Sequence, residues 1–410
     1  MEYAIIGEKL GHSFSKQIYE PYFGMDYDVK ELKPEEVDSF MKEKDFKGIN
    51  VTIPYKQTVI PYLDEISDVA KKIGAVNVIV NDNGKLKGYN TDFSGLKSNI
   101  ENMCINLLGK NVLILGDGGT SKNAYAVAEA MGAKTIQKVS IQKKSDTITY
   151  EEAKNRPETQ VIINTTPVGM YPKIDGSIIS IDDFPALEAI FDAVYNPLCT
   201  KLVVEARKRG IKACGGLYML VSQAIFAVEK FKSQEVSQTI AKRIFKEIYK
   251  SKENIVLIGM PGSGKTTVGK LLAEMLQRDF IDTDAEIVKN YGDISSIFEE
   301  KGESGFREIE AAVIKETSAL QGKVIATGGG AILREENIDF LKLNGKVYFL
   351  DRPLEQIAAT PDRPLSQNRE TLEKRYAERY EIYLKRCDQR IISDTTAQAA
   401  ADSIKEDFYK

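Results

Sequence analysis

An α/β protein of more than one domain is what the sequence predicts, from three observations. The chain has 410 residues, where a single core ordinarily serves roughly 100–200. The stretch "KNVLILGDGGTSKNAYAVAEAMG" (110–132) reads as an apolar strand, a glycine turn and a helix. The stretch "IVLIGMPGSGKTTVGKLLAEML" (255–276) follows the same order with a different turn.

Hydrophobic residues at 42% and charged residues at 28% describe a globular chain. A net charge of −4 gives no basic footprint, so nucleic acid is not the expected partner. Cys104, Cys199, Cys214 and Cys387 lack metal-ligand spacing, and a lone histidine, His12, cannot complete a zinc site with them. Reduced thiols and a cytoplasmic location are expected. The start "MEYAIIGEKLGHS" has no charged segment followed by a long apolar run, and no stretch approaches about 18 uninterrupted apolar residues, so neither secretion nor membrane insertion is expected.

A helical-looking segment from about Leu217 to Tyr249 ends in the charged "KEIYKSKEN", after which "IVLIG" begins a strand. The expected division is therefore 1–250 and 251–410. The front part reads as two lobes, one from about 1–95 plus 216–250 and one from about 96–215.

In the back domain, Gly259-x-x-x-x-Gly264-Lys265-Thr266 between strand and helix is a P-loop. Gly262, Ser263, Gly264 and Thr267 belong to the same phosphate-cradling turn. Lys265 reaches outer phosphates and the Thr266 hydroxyl can ligate Mg²⁺. "FIDTDAEI" places Asp282 and Asp284 two apart. On an extended segment both would face one way, one serving Mg²⁺ and one a substrate hydroxyl. "GESGFREIE" offers Arg307, "ATGGGAIL" a glycine turn and "RYEIY" Arg379, a set suited to a small polyhydroxy carboxylate. Any one of these alone would serve as well on a solvated surface.

Together they resemble shikimate kinase from about Asn254 to Lys410. The resemblance implies ATP and Mg²⁺ at Lys265, Thr266 and Asp282. It implies shikimate at Asp284, Arg307, the Gly328, Gly329 and Gly330 turn and Arg379, and Arg363 in "DRPL" as the lid arginine that acts on the transferred phosphate. Lys265, Asp284 and Arg363 are the expected catalytic groups. Ala359 stands where many relatives carry an arginine against the adenine, and the lid before Arg363 is short.

In the front part, "GEKLGHSFSK" holds Ser13 and Ser15, "GINVTIPYK" holds Asn50, Thr52 and Lys56, "GAVNV" holds Asn77, and "GYNTDFSG" holds Asn90 and Asp92. Hydroxyls and amides among turn signals line clefts, though surface loops have the same look. The series resembles shikimate dehydrogenase over essentially the whole front part. The resemblance makes Lys56 and Asp92 the catalytic pair. It places Ser13, Ser15, Thr52, Asn77, Asp92 and Gln223 of "LYMLVSQA" against the substrate. Ketone reduction builds negative charge on oxygen, which an ammonium stabilises and protonates. A strand end followed by proline is the expected support for Lys56.

The turn of Gly116, Gly118 and Gly119, with Thr120 and Ser121 after it, gives a dinucleotide pyrophosphate close backbone approach and a helix N-terminus. "VIINTTPVGM" (161–170) and "FDAVYNPLCTKL" (191–202) match later family segments, and place Asn164, Thr165, Tyr195 and Gly216 near the nicotinamide. Asp117 lies between the glycines, where a carboxylate repels a pyrophosphate unless it points away. The next strand ends "KVSIQKKS", with Ile141 and Gln142 where the family usually carries an arginine for the 2′-phosphate of NADP. Lys143 or Lys144 is left for that task, and no acidic residue suited to an NAD ribose follows the strand.

The implied whole is a two-lobed dehydrogenase, with an α/β substrate lobe and a Rossmann-like NADP(H) lobe, followed by a P-loop kinase domain with a parallel sheet. It would reduce 3-dehydroshikimate and then phosphorylate shikimate. Two alternatives stand beside it: a quinate enzyme using NAD fused to another hydroxy-acid kinase, and a retired dehydrogenase serving as a regulatory module.

Overall fold

The computed structural model describes residues 2–11, 14–357 and 369–410. Ser13 and Arg363, expected at the two sites, lie outside these residues, as do His12 and Ala359. The chain divides into two compact units, one of 1–168, 177–195 and 205–247, the other of 169–176, 196–204 and 248–410.

The first unit holds two six-stranded sheets. One is built from β1 (Tyr3–Gly7), β2 (Tyr27–Glu31), β3 (Gly48–Val51), β4 (Glu65–Ile66), β5 (Val78–Asp82) and β6 (Lys85–Tyr89), in the order β2-β1-β3-β5-β6-β4. It is mixed, since β3 and β6 both run antiparallel to β5. "NDNG" (81–84) makes the hairpin: Asn83 and Gly84 both take positive φ, and the Gly84 amide donates to Asn81 Oδ1 at 2.7 Å.

The other sheet is wholly parallel, as the Rossmann-like expectation requires. Its strands are β7 (Asn111–Leu115), β8 (Thr135–Val139), β9 (Thr147–Ile148), β10 (Val161–Asn164), β11 (Ala189–Asp192) and β12 (Lys212–Cys214). Their order is β12-β11-β10-β7-β8-β9, so the direction of winding reverses at β7, directly before the glycine turn.

The second unit carries β13 (Asn254–Ile258), β14 (Phe280–Asp282), β15 (Val324–Ala326), β16 (Gly345–Asp351) and β17 (Gln389–Ile392), parallel in the order β14-β15-β13-β16-β17. Central β13 is apolar on both sides because both are covered. Val256 and Ile258 enter one core with Leu341 and Tyr383, while Ile255 and Leu257 enter another with Leu272 and Phe408.

Two local expectations are corrected. The helical stretch over 217–249 is two helices, Leu217–Lys232 and Gln238–Lys252, broken where Ser233 takes φ 48°. Asp282 and Asp284 do not share an extended segment. Asp282 ends β14 and caps the helix Thr283–Tyr291, accepting from the Asp284 amide at 3.1 Å, so Asp284 lies in that helix's first turn. Among the described residues no helix is long and apolar enough to cross a membrane.

Candidate active sites

A cavity of about 520 Å³ opens in the first unit. Lys56 and Asp92 meet there, the ammonium donating to Asp92 Oδ2 at 2.5 Å with side chains 28% and 15% exposed. Lys56 is not at the strand end. It lies five positions past Val51 in a run of turns, held because the Val76 amide donates to its carbonyl at 2.8 Å. Asp92 stands in the first turn of the helix Thr91–Asn102, where helix amides favour a carboxylate.

Asn90 caps that helix, accepting from the Phe93 amide at 3.1 Å, and ties it to the Ala75 carbonyl at 3.0 Å. Asn77 completes the brace. Its amide nitrogen donates to Asp92 Oδ1 at 2.9 Å and its oxygen accepts from the Thr91 amide at 2.7 Å. Both Asp92 oxygens are therefore engaged, one by Asn77 and one by Lys56.

Ser15, Thr52 and Gln223 line the same cavity, as do Thr120, Tyr195 and Gly216 from the parallel-sheet lobe. Gln223 is brought close by Gly95. A Cβ at residue 95 would stand 2.8 Å from Gln223 Cβ and 2.8 Å from the Met219 carbonyl, so the helices Thr91–Asn102 and Leu217–Lys232 pack at a distance only glycine allows. Phe14 and Tyr195 meet edge to face at 5.6 Å, and burial pushes the Tyr195 phenol above its ordinary value. Leu10 and Phe14 of "GEKLGHSFSK" and Met219 of "LYMLVSQA" also line the cavity, apolar residues to which the sequence assigns no role.

At the glycine turn, Gly116 takes φ 106° and Gly118 precedes the helix Gly119–Ala130. Ser121 is buried and donates to the Gly118 carbonyl at 2.9 Å, so it shapes the turn. Thr165 donates to the Leu115 carbonyl at 2.7 Å. Asn164 is buried, donating to Asp192 at 3.0 Å and accepting from the Thr166 amide at 3.0 Å, so its side chain orders the ends of β10 and β11.

Asp117 does point into a cationic setting. Lys144 donates to one oxygen and Lys138 to the other at 3.2 Å. The bond from Lys144 lowers the Asp117 carboxyl below its ordinary range; burial opposes this and Lys138 reinforces it. Lys143 instead donates to Glu152.

A second cavity, of about 560 Å³, lies in the second unit at the P-loop. Gly262, Gly264, Lys265, Thr266 and Thr267 form one wall, and left-handed Gly264 precedes the helix Lys265–Leu276. Ser263 is buried behind the loop. The Lys265 ammonium donates to the Gly259 and Met260 carbonyls at 2.8 and 2.9 Å, which holds the loop curled. Thr266 Oγ1 donates to Asp282 Oδ2 at 2.8 Å, placing two hard oxygen donors side by side.

The opposite wall carries Asp284, Arg307, Arg379 and the Gly328–Gly330 turn. These glycines admit neighbours. A Cβ at residue 330 would meet the Arg307 guanidinium at 2.3 Å, and one at residue 328 would meet Asp284 Oδ1 at 2.6 Å and Glu310 Oε1 at 2.9 Å. Arg379 and Tyr383 donate to the Gly329 carbonyl at 3.2 and 2.6 Å. The Gly328 amide donates to Thr283 Oγ1 at 3.1 Å and so serves the fold.

Three groups escaped sequence reasoning. Glu310 accepts from Arg307 at 2.7 Å, and burial pushes its carboxyl up against the pull of that arginine. Arg375 lines the cavity one helical turn before Arg379; burial, then the charge of Arg379, lowers its guanidinium, and its Nη1 is buried without a partner among the described residues. Arg352, just past β16, also lines the cavity, and its Nε is buried without a partner among the described residues. Spacing offered a signal for both. Arg375 and Arg379 are an i, i+4 pair, and "DRPL" occurs twice, at 351–354 and 362–365.

Comparison with known proteins finds relatives for the front part of the chain and a family match for the back part. Residues 5–79 match the family "Shikimate dehydrogenase substrate binding domain" and residues 261–408 match "Shikimate kinase". A shikimate dehydrogenase (NADP(+)) of Clostridium beijerinckii is 37% identical over 261 residues, covering 59% of this chain and 96% of that protein. The crystal structure of shikimate dehydrogenase 1 from Peptoclostridium difficile aligns with TM-score 0.55 and 36% identity, over 60% of this chain and 97% of that one. A chorismate mutase/shikimate 5-dehydrogenase fusion from Clostridium acetobutylicum aligns with TM-score 0.56 and 34% identity, over 60% and 96%. With the braced Lys56–Asp92 pair in one cavity and the P-loop facing two arginines in the other, the chain belongs to the shikimate dehydrogenase family and carries a shikimate kinase domain behind it.

Proposed function

We propose that the chain catalyses two consecutive reactions: NADPH-dependent reduction of 3-dehydroshikimate to shikimate, and MgATP-dependent phosphorylation of shikimate to shikimate 3-phosphate. The observation that carries the reading is the Lys56–Asp92 contact of 2.5 Å, at the wall of a cavity that also presents Ser15, Thr52, Asn77 and Gln223.

In the first reaction NADPH, when bound, supplies the hydride. Lys56 then faces the oxygen on which charge develops, stabilises it, and delivers a proton from Nζ. Asp92, fixed by Asn77, holds the ammonium in place. Ser15, Thr52 and Gln223 orient the ring by its hydroxyl and carboxylate groups.

In the second reaction MgATP supplies the phosphoryl group. Thr266 and Asp282, paired oxygen donors beside the P-loop, would hold Mg²⁺, which would neutralise charge on the transferred phosphoryl group. Asp284 receives the proton of the attacking hydroxyl, and Arg307 and Arg379 hold the substrate carboxylate.

The test is to incubate the full chain with 3-dehydroshikimate, NADPH and MgATP and identify products by mass. Shikimate 3-phosphate is expected, and omission of ATP should leave shikimate. Phosphorylation of supplied shikimate without any ketone reduction would overturn the first half; accumulation of shikimate in the presence of MgATP would overturn the second.

A further inference from the structure

The helix Gly119–Ala130, β8 and the segment after it line a cavity of about 770 Å³ that includes Lys122, Lys138, Lys143, Lys144 and Asp146, and Asp117 of the glycine turn reaches its edge through its bonds from Lys138 and Lys144. In the dehydrogenase reading, on which this inference rests, the adenosine ribose lies beside this turn and its 2′ substituent is read here. A 2′-phosphate is a monoester carrying roughly −1.5 to −2 charges at neutral pH, and its capture depends on cations that are not already neutralised.

Three of these four lysines are neutralised. Lys143 donates to Glu152 and Lys144 to Asp117, while Lys138 is shared between Asp117 at 3.2 Å and Asp146 at 2.5 Å. Ile141, just past β8, is 88% exposed and offers no charge. A 2′-phosphate arriving here meets the Asp117 carboxylate between two of its cations. A 2′-hydroxyl meets that same carboxylate as a hydrogen-bond acceptor, the part an acidic residue plays toward an NAD ribose. Sequence reasoning found no such residue after β8; the fold delivers one from the preceding turn.

We propose that Asp117 is the specificity-determining residue for the nicotinamide cofactor: by occupying Lys138 and Lys144 and offering an acceptor to a 2′-hydroxyl, it makes the chain accept NADH alongside NADPH. Asp117→Asn keeps the side-chain volume and removes the charge, which frees Lys144 for a phosphate and leaves Lys138 with Asp146 as its one acidic partner among the described residues. Lys144→Ala leaves the turn's own residues untouched and removes one cation.

The experiment is equilibrium titration of the full chain with NADPH and with NADH, read by nicotinamide fluorescence. The wild-type Kd values are expected within about tenfold of each other, a difference of about 1.4 kcal/mol. Asp117→Asn should tighten NADPH by about fivefold or more and weaken NADH, in line with a charge-assisted bond gained by one and lost by the other. Lys144→Ala should weaken NADPH several-fold and leave NADH within about twofold. A wild-type preference for NADPH beyond about a hundredfold, or equal effects of either substitution on both nucleotides, would overturn the proposal. Failure of the wild-type chain to bind either nucleotide would instead overturn the dehydrogenase reading.

Discussion

Lys56 donates to Asp92 at 2.5 Å at the wall of the first unit's cavity, and Asn77 holds the second Asp92 oxygen at 2.9 Å. An ammonium so held is a proton donor in a fixed place. Lys56→Ala should lower kcat for ketone reduction by about 10²- to 10⁴-fold, the usual share of a general acid, with a much smaller change in KM. Phosphorylation of supplied shikimate by the same variant is the internal control and should be unchanged. Equal loss of both activities would mean that the substitution damaged the fold.

Gly95 sets the approach of two helices, and a methyl group there has backbone atoms in its way: the Met219 carbonyl at 2.8 Å and the Gln223 amide at 2.9 Å. Gly95→Ala should cost about 1–3 kcal/mol, the ordinary penalty of overpacking. It should also raise KM for shikimate, because Gln223 is pushed back with its helix. Denaturant melting and steady-state kinetics would check both, and an unchanged midpoint would contradict the packing argument.

Arg352 stands beside the P-loop with its Nη1 3.8 Å from the point where a Gly264 Cβ would be. With its Nε buried and without a partner among the described residues, it is predicted to meet nucleotide phosphate. Arg352→Ala should weaken binding of a nonhydrolysable ATP analogue by about tenfold, in the range of one charged hydrogen bond, while shikimate binding is retained. Calorimetric titration of each ligand separates the two.

The C-terminal helix Ala397–Tyr409 is tied to β16 by Asp407, which accepts from Lys346 at 2.7 Å and from Tyr348 at 2.9 Å. Burial pushes the Asp407 carboxyl up, but these two bonds outweigh it and the net shift is downward from 3.8. A carboxyl depressed in the folded state adds stability above its unfolded pKa, and loses it as pH falls through the folded value. Asp407→Asn should therefore cost about 1–3 kcal/mol at neutral pH. The gap between the two proteins should close below about pH 4 as the wild-type group takes up its proton. Thermal melting across that range would reveal a constant gap if the charge were irrelevant.

Two activities on one chain do not by themselves pass an intermediate from site to site, because a small product diffuses faster than a shared chain can retain it. Labelled 3-dehydroshikimate turned over with excess unlabelled shikimate should give shikimate 3-phosphate diluted to the pool's label content. Product retaining the label would demonstrate direct transfer.

Much of this architecture was legible in sequence where function and local structure coincide. The P-loop is readable because its turn must stand between an apolar strand and a helix, and Lys56, Asn77 and Asp92 fall in short runs bounded by turn residues. The error at Asp282 and Asp284 came from treating spacing as strand geometry; an aspartate before a helical run is also an N-cap, and here that role prevails. The setting of Asp117 was not legible, since its lysine partners are 21 and 27 positions away and only the pairing of β7 with β8 brings them together. Gly95 was quoted as a motif letter without its reason, which lies in a helix more than a hundred residues downstream.

Asp282 divides its two oxygens between two tasks. One accepts from the Asp284 amide and starts the helix that carries Asp284, and the other accepts from Thr266 beside the P-loop. The side chain of Thr266 beside the P-loop and the first turn of the helix carrying Asp284 are thus anchored to one carboxylate, so a change at Asp282 reaches both walls of the cavity at once.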